Sequence, residues 1–225
     1  MTVRVGINGF GRIGRNFFRA AKKRDVDIEF VAVNDLGSLD TMAHLLKYDS
    51  VLGVLPNTIK EHKDGISVDG DVLRVLSERD PKKLPWGELG VDLVIESTGI
   101  FTKRDTAAFH LEGGAPLVIV SAPCDGADAT LVYGVNHKDF DFKTDKVISN
   151  ASCTTNCFVP LVKVLDDNFG VEQGLMQTVH GVPTRSVARS TPTLPTTRRS
   201  RTSALGRTPM VTARSSSVPS SGQSA

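Results

Sequence analysis

The feature that most constrains the fold of this chain is a glycine-rich turn between an apolar strand and a helix. Residues 2–8 alternate apolar and other side chains, residues 9–14 read GFGRIG, and a helical pattern with Phe17 and Phe18 follows. Glycines at this spacing permit a tight turn, close approach of the backbone to a pyrophosphate and close helix–strand packing. A helix N-terminus also stabilises an anion. The context predicts a dinucleotide-binding βαβ unit, and glycines that serve only a tight turn are the structural alternative.

A second apolar run supports the same unit. Residues 28–33 (IEFVAV) end at Asn34-Asp35, and Asp35 lies 21 residues after Gly14. A carboxylate at this position accepts hydrogen bonds from the adenosine ribose hydroxyls. Because it also repels a 2′-phosphate, the pattern favours NAD over NADP.

Further apolar runs predict an α/β fold with a mostly parallel sheet. Near-continuous Val, Ile and Leu runs are typical of parallel strands covered by helices on both faces. A helix is predicted from Ser152 to Phe169 with Gly170 as its C-cap. The segment 63–75 is predicted to form a hairpin around Asp69-Gly70 and, with Trp86, to belong to the scaffold. The additional strands are predicted at 91–96, 116–123, 131–136, 146–151 and 174–179.

Residues 149–157 (SNASCTTNC) place Cys153 where a strand passes into a helix. A thiol in the first turn of a helix ionises more readily, which suits a nucleophile. A small residue packed at a helix start is the structural alternative. Cys157, one turn later, raises the question of zinc, but no second cysteine pair or close histidine completes a tetrahedral set, so no metal is predicted.

Two further residues, a histidine and a cysteine, have side chains suited to chemistry. His180 stands at the end of the last predicted strand, where a histidine is often structural; close to Cys153 it would act as a base and proton shuttle. Cys124 follows Pro123 and is predicted to be a small buried or turn residue.

These motifs together resemble the glyceraldehyde-3-phosphate dehydrogenase family over about residues 1–181. Within them, ASCTTNC is close to diagnostic. The resemblance implies a Rossmann-type, doubly wound NAD-binding domain over residues 1–150. It also implies the start of an α+β catalytic domain over 151–181, with the nucleophile helix and a following strand. The matching segments, in order, are VGINGFGRIGRN, VNDL, YDSVLG, SERDP, ESTGIFT, VIVSAP, YGVNH, ISNASCTTNC and QTVHG.

The resemblance also implies a reaction, the oxidative phosphorylation of D-glyceraldehyde 3-phosphate to 1,3-bisphosphoglycerate in glycolysis. Cys153 would form a thiohemiacetal and then a thioester that inorganic phosphate splits, with His180 as the base. Substrate contacts are implied for Ser152, Cys153 and Thr154. The residues implied to hold NAD are Gly9, Gly11, Arg12, Ile13, Gly14, Asp35, Arg79, Ser97, Thr98 and Ser121. The related erythrose-4-phosphate dehydrogenases share these motifs and are an alternative. The family forms homotetramers.

Composition separates the last segment from the rest. Residues 182–225 contain seven Arg, no Lys and no acidic residue, and they lack the family's motifs. This segment has too little apolar surface to offset the entropy of ordering the chain, so we predict a disordered tail. We also offer the hypothesis that the segment is an out-of-frame reading of the gene, which resequencing across codons 180–185 tests. An inactive NAD-binding fragment is therefore a second functional reading, whereas nucleic-acid binding is disfavoured because the tail has no aromatic residue for stacking.

The number of cysteines and the hydropathy of the sequence indicate in which cellular compartment the protein is expected. Three cysteines do not form a disulfide framework. The sequence contains no run of about 18 apolar residues, which a membrane-spanning helix would need. A cytoplasmic protein with a small-molecule substrate is predicted.

Overall fold

The computed structural model describes residues 2–24 and 26–178. His180, the end of the last predicted strand and the predicted tail lie outside the described residues. The elements are β1 (Val3–Asn8), α1 (Arg12–Arg24), β2 (Ile28–Asn34), α2 (Leu39–Lys47), β3 (Tyr48–Asp49), β4 (Gly53–Val54), β5 (Ile59–His62), β6 (Gly65–Val68), β7 (Asp71–Leu76), β8 (Leu93–Glu96), α3 (Arg104–Ala107), α4 (Phe109–Glu112), β9 (Val118–Val120), β10 (Ala129–Thr130), β11 (Val147–Ser149) and α5 (Cys153–Phe169).

In the described part of the chain, nine strands form one sheet in the order β10-β11-β9-β8-β1-β2-β7-β6-β5. The pairs from β10 to β7 are parallel, and β7-β6 and β6-β5 are antiparallel. From β1 the chain runs to β2 on one side and later to β8 on the other. This reversal is the topological switch point at which doubly wound sheets bind ligands, so the predicted fold class is confirmed.

The core covers both faces of the sheet because the strand side chains alternate. Val5 and Ile7 of β1 pack on one face with Phe18 of α1. Gly6 lies on the other face, where an added Cβ would come within 2.6 Å of the buried Trp86 ring. Helices and loops on both faces explain why the strands read as nearly continuous apolar runs.

The hairpin predicted around Asp69-Gly70 is confirmed as the antiparallel pair β6-β7. Both turn residues have positive φ, 54° at Asp69 and 104° at Gly70, as a type I′ turn requires. The Asp69 carboxylate accepts hydrogen bonds from the Asn57 side chain and the Thr58 N–H. These two bonds, in that order of importance, lower the pKa of Asp69 below its ordinary value.

Two predicted strands are wrong in the described residues. No strand forms at 131–136, because β10 ends at Thr130 and a turn with Gly134 at φ 83° follows it. The Asn136 side chain closes this turn by accepting from Val132 N–H and donating to the Thr130 carbonyl. Residues 174–178 form no strand, because none of the described strands pairs with them, and Leu175 is 92% exposed. The other predicted strands and the helix of 152–169 are present, some with shorter bounds.

Candidate active site

A cleft of about 420 Å³ opens at the carboxyl ends of β1, β2 and β8, at the switch point. It is lined by Asn8, Gly9, Gly11, Asn34, Asp35, Leu36, Glu78, Arg79, Ser97, Thr98, Ile100 and Phe101. Six of the predicted cofactor residues are among them, whereas Arg12, Ile13, Gly14 and Ser121 are not. A second cleft of about 410 Å³, between Phe18, Phe30 and Leu73, contains none of the predicted site residues.

The three glycines of the turn meet three different steric demands. Gly9 has φ 90°, and a Cβ there would lie 2.6 Å from the Thr98 nitrogen. At Gly14 a Cβ would lie 2.3 Å from the Gly9 carbonyl oxygen, so only glycine lets α1 pack against the turn. Gly11 has nothing within 4 Å of its Cβ position and borders the cleft. Its bare backbone is therefore the part of the turn open to a bound group.

Positive charge gathers at the start of α1. The helix begins at Arg12 and has no acidic residue in its first turn. Arg12 is 63% exposed and reaches within 3.9 Å of the Asp49 carboxylate, while Arg15 donates to the Phe10 carbonyl at 2.8 Å. Burial, and then the neighbouring Arg12, lower the pKa of Arg15. Cations here oppose the helix dipole, so this arrangement disfavours the isolated helix but favours a bound anion.

Asp35 joins the turn to the second strand. One carboxylate oxygen accepts from the Phe10 N–H at 2.8 Å, and the other accepts from the Gly37 N–H at 2.9 Å. Each oxygen keeps a further lone pair for a ligand donor. Asp35 thus holds the glycine turn in place and presents acceptors to the cleft, as its predicted contact with ribose hydroxyls requires.

The opposite wall of the cleft follows β8. The Ser97 hydroxyl donates to the Gly9 carbonyl at 2.7 Å, which ties this wall to the glycine turn. Arg79 follows Glu78, whose backbone N–H and carbonyl both bond the Asn34 side chain at 2.8 Å.

The sequence interpretation missed the lining residues Asn8, Asn34, Leu36, Glu78, Ile100 and Phe101. The usable signal was a polar residue at the end of each buried strand: Asn8, Asn34 and Glu96.

Cys153 is the first residue of α5 and is exposed. The preceding Ser152 caps the helix, with its hydroxyl accepting from the Thr155 N–H at 3.0 Å. Ala151, with φ 55°, is a non-glycine residue in the left-handed region, which costs energy and marks a sharp, strained turn. The Asn156 side chain donates to the Asn150 and Ser152 carbonyls and closes the turn from the helix side. The turn therefore places the thiol at the helix N-terminus.

The sheet brings the turn before Cys153 to the edge that carries the cleft. β11 pairs with β9 in parallel, with Ser149 opposite Val120. Ser121 follows β9, and its N–H donates to the Glu96 carbonyl at 2.9 Å. Cys153 follows β11 at the same carboxyl edge. Thr154 lies in the first turn of α5, whereas His180 is outside the described residues.

The other cysteines differ in environment. Cys124 is 9% exposed in a small core cluster, which confirms that it is a buried residue, and burial raises the pKa of its thiol, with Asp125 and Asp128 adding to the effect. Cys157 is free and exposed on α5. Among residues 2–24 and 26–178, His, Cys, Asp and Glu side chains form no group of three or more suited to a metal ion.

Two further observations concern exposed surface. Apolar side chains of α5 face solvent in this unit, with Leu161 58% and Phe169 83% exposed. None of the described helices has the length and apolar character needed to cross a membrane.

Comparison with known proteins gives concordant matches. Residues 3–104 match the family model described as glyceraldehyde 3-phosphate dehydrogenase, NAD binding domain, and residues 152–220 match that of the C-terminal domain. The chain is 61% identical over 180 residues to glyceraldehyde-3-phosphate dehydrogenase of Streptomyces coelicolor and 58% identical to that of Geobacillus stearothermophilus. These alignments cover 80% of this chain and 54% and 53% of the two relatives, so the chain spans about half their length.

The second match bears on the predicted break at residue 181. It extends to residue 220, whereas the alignments with the relatives cover 180 residues. The assignment of 182–225 to a separate tail therefore stays a prediction, as do the domain bounds at 150 and 181. The two family models together cover more than half of the chain, and they agree with every relative named here. The chain therefore belongs to the glyceraldehyde-3-phosphate dehydrogenase family.

Proposed function

We propose that the protein is an NAD-dependent, phosphorylating glyceraldehyde-3-phosphate dehydrogenase. It would convert D-glyceraldehyde 3-phosphate, inorganic phosphate and NAD to 1,3-bisphosphoglycerate and NADH. The observation that carries the proposal is the exposed Cys153 thiol at the capped start of α5, on the same sheet edge as the switch-point cleft. A thiol nucleophile beside a nucleotide cleft suits oxidation of an aldehyde through a covalent intermediate.

In the proposed reaction, the Cys153 thiolate attacks the aldehyde carbon, the carbonyl oxygen takes a proton from protonated His180, and a thiohemiacetal forms. NAD, when bound, supplies the hydride acceptor. His180 takes the hydroxyl proton as the hydride leaves the same carbon, and a thioester remains on Cys153. A phosphate oxygen then attacks the thioester carbon, the C–S bond breaks, and the thiolate is restored with the acyl phosphate as product.

The proposed division of roles follows position in the fold. Gly9, Gly11 and Gly14 shape the turn, and Arg12 with Ile13 open α1 beside it, where a pyrophosphate would be stabilised. The remaining cofactor contacts are assigned to Asp35, Arg79, Ser97 and Thr98, which line the cleft, and to Ser121, which follows β9 at the same sheet edge. Ser152 and Thr154 flank the nucleophile and are assigned to the substrate or the attacking phosphate, since N–H groups at a helix start favour an anion.

The names of the relatives favour glyceraldehyde 3-phosphate over erythrose 4-phosphate as substrate. An NAD-binding protein without dehydrogenase activity is the second candidate. The observation that favours it is the length of the match, since the chain spans about half of each relative. A cytoplasmic location and a homotetramer belong to the proposal through the family resemblance, and sedimentation of the purified chain tests the tetramer.

The test is NADH formation by the purified full chain. We expect NADH only when NAD, glyceraldehyde 3-phosphate and inorganic phosphate are all present, and none from the matched variant Cys153→Ser. Faster turnover of erythrose 4-phosphate would change the substrate assignment. NAD binding without NADH formation from either aldehyde would refute the enzymatic proposal and select the binding protein.

A further inference from the structure

A buried polar network lies directly behind the cleft, and the proposed chemistry does not use it. Glu96 is 1% exposed and His110 is fully buried, and the Glu96 Oε2 to His110 Nε2 distance is 2.9 Å. The Asn8 amide nitrogen donates to the same oxygen at 2.6 Å. The other oxygen, Oε1, accepts from the Thr98 N–H at 2.8 Å and from its hydroxyl at 2.5 Å.

The direction of each bond in the network is determined by its partners. The Trp86 indole can only donate, and it donates to His110 Nδ1 at 3.1 Å. Since Nδ1 accepts, the ring proton is on Nε2, and this proton points to Glu96. Asn8 Nδ2 lies 3.3 Å from His110 Nε2, and because both atoms then carry protons, both donate to Glu96 Oε2 and not to each other. The Asn8 oxygen accepts from Asn34 at 2.7 Å, which leaves the Asn8 amide nitrogen for Glu96. Three of the four groups that bond Glu96, the Asn8 amide N–H, the His110 Nε2–H and the Thr98 N–H, can only donate, so Glu96 accepts from all three, and the Thr98 hydroxyl gives the fourth bond.

The network reaches two walls of the cleft. On one side, the Thr98 hydroxyl that bonds Glu96 also accepts from the Ile100 N–H at 3.1 Å, which shapes the loop after β8. On the other side, Asn8 holds Asn34, and Asn34 holds the Glu78 backbone next to Arg79. The ends of β1, β2 and β8 are thus joined through one carboxylate.

We propose that Glu96 and His110 are positioning residues of the cleft. His110, kept as the neutral Nε2–H tautomer by Trp86, orients the Glu96 carboxylate. The carboxylate in turn sets the geometry of the Thr98 loop and, through Asn8 and Asn34, that of the loop bearing Arg79. NAD as the ligand of this cleft rests on the proposed function, but the hydrogen-bond geometry stands without it.

The test compares variants of nearly equal size. Glu96→Gln turns one acceptor atom into a donor. In either orientation this donor faces at least one N–H that cannot accept, those of Asn8 and His110 on one side or that of Thr98 on the other. His110→Gln keeps a donor and an acceptor, whereas His110→Leu keeps neither. In NAD titrations of the full chain, we expect Glu96→Gln and His110→Leu to weaken binding about tenfold or more, and His110→Gln to stay close to wild type.

Hydrogen exchange gives a readout that does not depend on NAD. The Thr98 and Glu78 amides should lose protection in Glu96→Gln while amides in the middle of β1 keep theirs. A wild-type chain that does not bind NAD would refute the proposed function, and the exchange data would then decide the positioning role by themselves. Unchanged Thr98 and Glu78 protection in Glu96→Gln overturns the inference.

If Glu96→Gln does not fold, the wild-type ring nitrogens decide. Nitrogen-15 shifts of His110 distinguish the two neutral tautomers and the cation. The inference requires the Nε2–H tautomer at neutral pH. A ring protonated at Nδ1, with or without a second proton, refutes it.

Discussion

Gly14→Ala changes the free energy of unfolding through two opposing effects, a gain in helix propensity and a loss from steric overpacking. Gly14 lies in α1, where replacing glycine by alanine favours the helix by up to about 1 kcal/mol. The new Cβ would lie 2.3 Å from the Gly9 carbonyl oxygen, 3.0 Å from the Ile7 Cγ2 methyl and 3.1 Å from the Ser97 hydroxyl oxygen. The closest of these atoms is backbone, and Gly9 itself is held at φ 90° against Thr98. The turn therefore has little room to yield.

Overpacking of this kind costs about 3 kcal/mol at the upper end of its usual range. The net expectation is a loss of about 2 kcal/mol in the free energy of unfolding, after the helix-propensity gain of about 1 kcal/mol is subtracted. With an m-value of about 2 kcal/mol per molar urea, the unfolding midpoint should fall by about 1 M. The single tryptophan, Trp86, is fully buried and reports unfolding by fluorescence.

Gly11→Ala is the matched control, because nothing lies within 4 Å of its Cβ position. Its free energy of unfolding should stay within about 0.5 kcal/mol of wild type, while NAD affinity falls because the methyl group enters the cleft. A Gly14→Ala chain as stable as wild type would refute the packing argument. A Gly11→Ala chain with unchanged NAD affinity would show that the open side of the turn does not meet the cofactor.

Three further predictions concern the sheet edge and the thiols. Burial raises the pKa of Asp128, but hydrogen bonds from the Val147 and Lys146 N–H groups and from Arg104 outweigh it and lower the pKa overall. The Asp128 carboxylate therefore stabilises the folded chain at pH values above its unfolded-state pKa, and this stabilisation is lost as the pH falls below about 4. The urea unfolding midpoint of Asp128→Asn should therefore change less than that of wild type as the pH falls below about 4. Iodoacetamide should label the exposed Cys153 and Cys157 in the folded chain and spare Cys124, and peptide mass spectrometry showing native Cys124 labelled at neutral pH would contradict its burial. Ser152→Ala should destabilise the start of α5 by about 1 kcal/mol, which corresponds to about fivefold faster amide exchange in its first turn. Ser152→Asp should keep the helix cap, so the exchange rate of these amides should stay close to that of wild type.

Local patterns were sufficient for most of the fold. Strand, glycine turn and helix follow from periods of two and 3.6 residues and from the steric freedom of glycine, and the Asp69-Gly70 hairpin follows from turn chemistry. The strand predicted at 131–136 was wrong because periodicity does not register a side chain that closes a turn on its own backbone, as Asn136 does. Residues 174–178 show a second limit, since a strand requires a partner that takes its hydrogen bonds.

For the site, the residue types and spacings of the sequence predicted the glycine turn, the position of Asp35 at the end of the next strand and the Cys153 helix start, because strand, turn and helix ends are set by chain neighbours. Tertiary structure alone decided that Asn8, Asn34 and Glu96 meet, since they lie far apart along the chain and come together only where parallel strands end side by side. It also decided the tautomer of His110, which depends on an indole donor 24 residues away. Hydrogen-bond direction is a property of partners in space, and a linear pattern does not contain it.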